Sequence, residues 1–345
     1  MKKLGALLFA VVVTFGTISA EIIEHVKIGD LFYNLNTDNR QAEVTYKSSG
    51  TNSYSYLTVF SIPEEVIYNE IPFSVTSIGD YAFKYCENLT AIVIPNTVKT
   101  IGDYSFEYCS SLSSVTIPNS VTTIGEYAFQ YCRGMNSITI SNSVISIGRA
   151  AFLRCVGLKQ VVLPNQLAVI EDGVFQQDSS LVSVSIPSSV TSIGQSAFLE
   201  CVSMTSIVIP EGTANIGLGA FNSCGTLKNV ELPSTLTNIK MTAFYNCIAL
   251  ASITCKALTP PTLELQVFYG VNQPSCKLFV PSNSVSLYEN AGQWRDFKPI
   301  LAIGSTEAVE TVLQNNEPRT KVIRNGQVFI ENSNNTYTLT GQQLK

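Results

Sequence analysis

Histidine and tryptophan are almost absent from this 345-residue chain, which has only His25 and Trp294. A single histidine argues against a His-based triad, a paired-histidine zinc site or catalysis by clustered imidazoles. No G-x-x-x-x-G-K-[ST] or G-x-G-x-x-G segment occurs, so a phosphate-cradling loop is not indicated. The nine cysteines include no C-x-x-C pair, the short ligand spacing typical of structural zinc. The sequence therefore predicts neither an enzyme nor a protein with a metal or other cofactor.

Excess positive charge and long apolar runs are also missing. The chain has 21 Lys and Arg against 26 Asp and Glu, a formal charge of −5 and a pI near 5.1. Without a basic block, nucleic acid and anionic membrane surfaces are poor candidate partners. Beyond residue 20, no run approaches the roughly 18 apolar residues that a transmembrane helix needs. We expect no transmembrane segment.

The first 20 residues have the layout of a secretory signal peptide. Lys2 and Lys3 precede the apolar run LGALLFAVVV, and small residues end the segment at Ser19 and Ala20. Cleavage after Ala20 is the expected processing. The next residue, Glu21, is not the cysteine that a lipoprotein anchor requires. The sequence thus predicts a secreted or cell-surface protein.

An internal repeat of 23 residues fills the middle of the chain. Eight consecutive units run from Val75 to Leu258 without a gap, and each reads approximately V-x-x-I-G-x-x-A-F-x-x-C-x-x-L-x-x-I-x-I-P-x-S. Isoleucine fills the fourth position of every unit, and a period of 20–29 residues containing L-x-x-I-x-I is typical of leucine-rich-repeat solenoids. Phenylalanine fills the ninth position every time: Phe83, Phe106, Phe129, Phe152, Phe175, Phe198, Phe221 and Phe244.

Each unit predicts one strand and one return leg. In LTAIVIP, Ile92 and Ile94 alternate with smaller residues as in a half-buried strand, and Pro95 ends that strand. We expect the return leg from Gly79 to contain a short helical turn capped by Asp80. The equivalent carboxylates of units two and three, Asp103 and Glu126, are expected to be caps rather than calcium ligands. The predicted fold is an α/β repeat solenoid, a leucine-rich-repeat slab with one parallel β-sheet face.

Caps are expected at both ends, because the first and last units would otherwise expose their apolar faces. We assign residues 21–74 to an N-terminal β cap and 75–258 to the solenoid. Residues 259–304 form a C-terminal cap in which Trp294 covers the last coil. Residues 305–345 are a linker followed by a β-hairpin segment.

Seven cysteines share the twelfth position of the repeat. We expect a column of buried free thiols, since stacked side chains that point the same way are poorly placed for disulfides. Asp178 replaces cysteine in unit five, where a carboxylate in a dry column is costly, so we expect looser packing or solvent access there. The sequence does not decide whether Cys255 and Cys276 form a disulfide. The column comprises Cys86, Cys109, Cys132, Cys155, Cys201, Cys224 and Cys247.

Tyrosines occupy two positions of the first three units only. They form two columns, the seventh position with Tyr81, Tyr104 and Tyr127, and the eleventh with Tyr85, Tyr108 and Tyr131. Core packing is the same in every unit, so it does not by itself require tyrosine in three of them. Tyrosine is enriched at interfaces, which makes the six a candidate binding patch. The alternative is that the rings pack on the N-terminal cap or on each other.

The outward strand positions are a second candidate surface. They carry small hydroxyl and methyl groups and almost no charge, which suits a partner and suits ordinary solvent equally well. The candidate strand-face residues are Ser114, Thr116, Ser137, Thr139, Ser183 and Ser185.

The repeat I-G-x-x-A-F-x-x-C-x-x-L-x-x-I-x-I-P, with the closing segments FYGV and LFVP, resembles the BspA-like leucine-rich-repeat proteins, abundant in Bacteroidetes. The resemblance covers about residues 26–302, with departures in unit five at Glu171, Gly173 and Asp178. It implies an adhesin for host matrix or bacterial surface proteins, and it supplies no catalytic residue or residue-level binding motif. Two alternatives are a glycan-binding module that uses the tyrosine columns and an envelope spacer that binds nothing. The oligomeric state is not predicted.

Overall fold

The structure is a computed structural model that describes residues 21–47, 54 and 57–305, together with four short strands between 320 and 344. The predicted signal peptide at 1–20 and most of the predicted linker lie outside the described residues. Within the described part of the chain, the repeat units stack as successive coils of a parallel β-solenoid. The predicted repeat architecture is confirmed.

A small β element precedes the first coil. Alternation in LFYNLN buries Leu31, Tyr33 and Leu35 on one face of the second strand, as expected for a half-buried strand. The first three strands form an antiparallel meander, the third pairs in parallel with the sixth, and the fifth pairs antiparallel with the sixth. The strands are β1 (Ile22–Ile28), β2 (Leu31–Asn36), β3 (Gln41–Thr45), β4 (Val59–Ser61), β5 (Glu65–Tyr68) and β6 (Ile71–Ile78).

Each coil contributes two short strands, so the solenoid has two parallel ladders. Positions three and four of the repeat continue from β6 through the even-numbered strands, and positions 17 to 19 continue from β4 through the odd-numbered ones. We call these the first and second ladders; the single sheet face expected from the sequence corresponds to the second. Strands β7 to β24 are, in order, Ala91–Val93, Thr100–Ile101, Ser114–Thr116, Thr123–Ile124, Ser137–Thr139, Ser146–Ile147, Gln160–Val162, Val169–Ile170, Ser183–Ser185, Ser192–Ile193, Ser206–Val208, Asn215–Ile216, Asn229–Leu232, Asn238–Ile239, Ser252–Cys255, Thr262–Leu263, Lys277–Val280 and Ile300–Ala302.

The return legs consist of successive turns, so the prediction of a short helical turn in each leg is wrong. Alternate amides bond to the next coil: the N–H groups of Tyr81, Phe83 and Tyr85 donate to carbonyls of unit two at 2.7–2.8 Å. The amides between them close turns within the coil. Glycine before the return leg permits this close approach, since a Cβ on Gly102 would lie 2.7 Å from backbone atoms of unit one. Helix among the described residues is limited to the C-terminal cap.

A continuous aromatic column forms the core. The phenylalanines of the eight units stack face to face with ring centroids 5.1–5.6 Å apart, close to the strand spacing of a sheet. Buried Tyr54 lies against Phe83 at one end, and Phe268 continues the column beyond Phe244. Each coil therefore buries its phenylalanine only by contact with its neighbours.

Units three to six stack less regularly than the others. The ring centroids from Phe129 to Phe198 are 5.5–5.6 Å apart, against 5.1 Å in the first three units. The ladders are interrupted between β11 and β13, between β12 and β14, and between β15 and β17. This is the looser packing expected around unit five. The alternative expectation, solvent access to Asp178, is wrong because this side chain is fully buried.

The C-terminal cap covers the last coil with a cluster of rings. Trp294 lies on Phe268 at 5.4 Å and donates its indole N–H to the carbonyl of Pro261 at 2.9 Å. Tyr288 and Phe297 complete the cluster. The cap contains one α-helix, α1 (Val285–Glu289), and the 3-10 helices Gln273–Ser275, Ser282–Ser284 and Gly292–Asp296. A separate antiparallel sheet follows, made of β25 (Thr320–Arg324), β26 (Gln327–Glu331), β27 (Thr336–Thr338) and β28 (Gln343–Leu344).

All nine cysteines are buried, and none of them forms a disulfide. Cys255 and Cys276 form no disulfide, and the Tyr288 hydroxyl donates to the Cys255 sulfur at 3.2 Å. In the repeat column, each thiol from the second unit onward donates to the phenylalanine carbonyl of the preceding coil at 3.1–3.2 Å, with Cys109 on Phe83 as the first example. The thiols therefore satisfy a carbonyl as well as filling space, which the sequence did not reveal.

Candidate binding surfaces

The six predicted tyrosines share an unusual backbone conformation. The seventh and eleventh positions of every unit have positive φ, for example 59° at Tyr81 and 62° at Tyr85. Left-handed residues are uncommon outside glycine, and here they turn two side chains of one leg outward beside each other. We call the six tyrosines the tyrosine panel. The only repeat-derived sequence signal for this geometry is the glycine that occupies these columns later, at Gly173, Gly219 and Gly270.

The panel consists of two stacks of parallel rings. In the first, Tyr104 lies 5.1 Å from Tyr81 and 4.8 Å from Tyr127, with rings inclined by 6° and 11°. In the second, Tyr108 lies 5.1 Å from Tyr85 and 4.4 Å from Tyr131. Partial burial, followed by the neighbouring phenol, raises the pKa of both Tyr104 and Tyr108. These two phenols are therefore uncharged at neutral pH.

Each stack ends on a cation. The guanidinium of Arg149 lies 5.2 Å from the ring centroid of Tyr127, and that of Arg154 lies 5.3 Å from Tyr131. Lys84 sits between the stacks, 5.1 Å from the ring centroids of both Tyr81 and Tyr85. The tyrosines stop at unit three where arginines of unit four cover the last rings, a cation–π arrangement.

The panel presents ring edges and hydroxyls to solvent. Every internal ring face is covered by the next ring, and the outer face of Tyr81 meets Tyr46 of the N-terminal cap edge-on at 6.4 Å. Tyr81 and Tyr85 are the most exposed members, at 41% and 42%. Both interpretations of the columns are thus compatible with the geometry: the rings do stack on each other and on the cap, and the panel is partly exposed to solvent. Sugar stacking on open ring faces is not favoured.

A shallow groove of about 540 Å³ crosses the second ladder over units one to three. Its floor carries outward side chains of β7, β9 and β11, and none of its lining residues is charged. Val93, on its floor, is 57% exposed. We call this the strand-face groove; its lining includes Ala91, Val93, Asn96, Ser114, Thr116, Asn119, Thr139 and Ser141.

The structure brings only some of the predicted strand-face residues together. All six are exposed. Ser114, Thr116 and Thr139 line the groove, and Ser137 lies in the same sheet. Ser183 and Ser185 belong to the separate two-stranded sheet of β13 and β15, beyond the interruption after unit three. The predicted face is therefore divided.

Two of the three predicted carboxylate caps at the sixth position cap the backbone. Asp80 accepts a hydrogen bond from the amide of Asp103 at 2.8 Å, and Asp103 accepts one from the amide of Glu126 at 2.7 Å. Both therefore cap the next coil rather than their own leg, whereas the Glu126 carboxylate pairs with Arg149 at 3.5 Å. Among the described residues, no group of three or more His, Cys, Asp and Glu side chains is arranged for a metal ion.

The buried thiols are poorly suited to chemistry. Burial raises the pKa of Cys224 to about 12, and it likewise raises the pKa of Cys132 and Cys155. Thiolate is the reactive form of cysteine, so these side chains are inert at neutral pH. The column is structural.

Comparison with known proteins gives the family. A model of the BspA type leucine rich repeat region matches residues 76–204 and 191–291, in six copies. The chain belongs to this family. A search of curated protein sequences finds no significant match.

Solved structures of bacterial leucine-rich-repeat proteins are similar to this chain. A leucine rich repeat protein of T. pallidum has a TM-score of 0.52 and 25% identity, covering 59% of this chain and 91% of its own. A leucine rich cell surface protein of Faecalibacterium prausnitzii is 24% identical, with a TM-score of 0.46 over 85% of this chain and 97% of its own. A leucine-rich repeat protein of Bacteroides ovatus is 22% identical, with a TM-score of 0.41 over 80% and 98%. The first supports the fold.

Family membership sets the functional class. Leucine-rich-repeat proteins of this type are protein-interaction modules of bacterial surfaces and are generally not enzymes. Within the described residues, no helix has the length and apolarity needed to cross a membrane.

Proposed function

We propose that the BspA-type chain is an exported adhesin that binds a host matrix protein or a bacterial surface protein. The observation that carries this proposal is the strand-face groove, where exposed apolar and hydroxyl groups lie together over units one to three. The same units carry the tyrosine panel on their return legs. Two surfaces with interface-like composition therefore occur over units one to three, where the outward columns of the return legs carry tyrosine.

The groove suits an extended, uncharged segment of a protein partner. Its floor is regular, with side chains about 5 Å apart across parallel strands, and exposed Val59 extends it along the sheet toward β4. Asn96 and Asn119 line the groove and carry amides that can both donate and accept hydrogen bonds. Apolar contact with flanking hydrogen-bond groups is the usual composition of a protein interface.

The tyrosine panel is the second candidate surface for the same function. Phenolic edges offer apolar contact beside hydroxyls, which is why tyrosine is common in interfaces. A glycan-binding role would have to use hydroxyls and ring edges, since ring faces in the stacks are covered. We therefore place protein binding ahead of glycan binding.

The test is binding of the full chain to an array of immobilised matrix proteins, bacterial surface proteins and mucosal glycans. Ser114→Lys puts a long cation on the groove floor, and Ser206→Lys makes the same change at the equivalent position of unit six. We expect a protein ligand whose binding is lost in Ser114→Lys and kept in Ser206→Lys. If both variants still bind the protein ligand, the groove is not the binding site.

A further variant separates the two surfaces. Tyr104→Ser introduces the residue that unit six carries at the same position, Ser196, and is compared with the wild type for folding by circular dichroism. Loss of a protein ligand in this variant alone would move the site to the panel. Binding of glycans alone would support the glycan-binding alternative. The absence of any binding would support the alternative of an envelope spacer.

A further inference from the structure

We infer that the end of the tyrosine panel is an anion-recognition patch for an acidic segment of a protein partner. The inference deepens the proposed function and rests on it, because it names the chemistry of one part of the bound protein. The patch consists of the guanidinium groups of Arg133, Arg149 and Arg154 around the last rings of the two stacks.

The distribution of arginine along the array is the first observation. Within residues 75–258, all three arginines fall in units three and four. Those two units, residues 121–166, contain four cations and one carboxylate, Glu126, for a formal charge of 4 − 1 = +3. The whole chain carries −5, so this is a positive island on an acidic protein. Such an island attracts acidic partners and orients them.

The placement of the side chains is the second observation. The guanidinium carbons of Arg133 and Arg154 lie 5.4 and 5.3 Å from the ring centroid of Tyr131. Arg154 also donates to the Tyr131 hydroxyl at 3.0 Å and to the side-chain oxygen of Gln177 at 2.5 Å. Arg154 is therefore held in place before any ligand arrives, which lowers the ordering cost of binding.

The charge of the patch is incompletely compensated. Arg149 pairs with Glu126 at 3.5 Å, and both side chains are about half exposed. Among the described residues, neither Arg133 nor Arg154 takes part in an ion pair. The nearest carboxylate in the hydrogen-bond chain, Glu200, contacts Gln177 rather than an arginine. Two guanidinium groups thus remain available to an incoming acid.

Carboxylate is the group that fits. A guanidinium presents a planar fork of N–H donors that matches a carboxylate in a bidentate manner. The phenolic edge beside it supplies apolar contact and hydroxyls for the peptide around the acid. Aspartate or glutamate next to aromatic or aliphatic residues is therefore the segment chemistry that we assign.

The experiment measures fluorescence anisotropy of a labelled decaglutamate peptide with the full chain at low salt. A decaserine peptide and heparin are the comparison probes. The triple variant Arg133→Gln, Arg149→Gln, Arg154→Gln removes the patch. The matched control Lys228→Gln, Lys240→Gln, Lys256→Gln removes the same charge from units seven and eight. We expect decaglutamate affinity to fall about tenfold in the arginine variant and to change less than about twofold in the control.

A single substitution covers the case in which the triple variant fails to fold. Arg133→Gln removes an exposed arginine with no ion pair among the described residues, and we expect about a threefold loss. Equal affinity for decaglutamate in wild type and variant would overturn the inference. Binding of heparin without decaglutamate would also overturn it and assign the patch to sulfated glycans.

The outcome is separable from that of the proposed function. A protein ligand from the array that binds the arginine variant as well as the wild type would contradict this inference and leave the proposed adhesin intact. If decaglutamate binding depends on the arginines but the array yields no protein ligand, the proposed adhesin function is contradicted and the anion-recognition patch is supported.

Discussion

The inward and outward columns of the array differ in how they vary from one coil to the next. Phenylalanine at the ninth position is buried in all eight units and stacks at nearly constant spacing. At the eleventh position, two places further on, Tyr85 of unit one has become Ser223 by unit seven. The inward column is repeated because each coil must bury the same face against its neighbours. The outward column is free to vary, so its local enrichment in tyrosine and arginine needs a separate reason.

The largest effects should come from the inward column, with the same size at both ends. Phe106→Ala and Phe221→Ala each remove a fully buried ring that stacks on two others. We expect each to lower the free energy of unfolding by about 3–5 kcal/mol, measured by urea denaturation. A much smaller loss at one end would show that the core is not equivalent along the array.

Asp178 is the exception in the inward columns, and Asp178→Cys should remove it. Both carboxyl oxygens are buried without a hydrogen-bond partner, whereas a thiol at this position elsewhere reaches a phenylalanine carbonyl. We expect Asp178→Cys to raise the free energy of unfolding at neutral pH by about 1–3 kcal/mol. Thermal and urea unfolding would measure the gain.

The same substitution should flatten the pH dependence of stability. Burial raises the pKa of Asp178, although the nearby backbone of Cys155 lowers it in part. The folded state then keeps a proton that the unfolded chain releases above about pH 4, so this contribution is complete below pH 4 and falls as pH rises, by up to about 1.4 kcal/mol per pH unit. Urea unfolding of the wild type and of Asp178→Cys between about pH 4 and 8 measures the difference in slope. An unchanged slope in Asp178→Cys would mean that Asp178 is ionised when folded.

The outward column should show a smaller effect that differs between the ends. Tyr108 stacks on two rings, so Tyr108→Ala should cost about 1–2 kcal/mol of the free energy of unfolding. Ser223→Ala at the same position of unit seven should change it by less than about 0.5 kcal/mol. If the two substitutions cost the same, the stacks add nothing to stability.

The smallest predicted effect is a gain from the left-handed backbone. Thr242 has a φ of 56°, a region that a β-branched residue occupies at a cost. Thr242→Gly should therefore raise the free energy of unfolding by about 0.5–1 kcal/mol, while Thr242→Ala should be close to neutral. Destabilisation by glycine would mean that the loss of chain entropy outweighs the relief of strain.

The repeat allowed the architecture to be predicted from the sequence, because a constant period fixes which side chains must stack. The return leg was misjudged, since spacing four residues apart suits a helical turn as well as two left-handed residues. Glycine at 173 and 219, in the tyrosine columns, was the signal for the latter. The prediction of solvent access at Asp178 was also wrong, because the flanking coils bury this side chain even where their ladders are interrupted. Binding residues are harder to predict, since no packing rule constrains an outward side chain.

The central claim is that the partner binds over units one to three, where the outward columns of the return legs carry tyrosine. Hydrogen exchange of the full chain, with and without a protein ligand found on the array, tests it most directly. The account predicts slowed amide exchange at residues 91–96 and 114–119, with no change at the equivalent residues 206–211 and 229–234. Equal protection at both places, or protection of the later units alone, would contradict it.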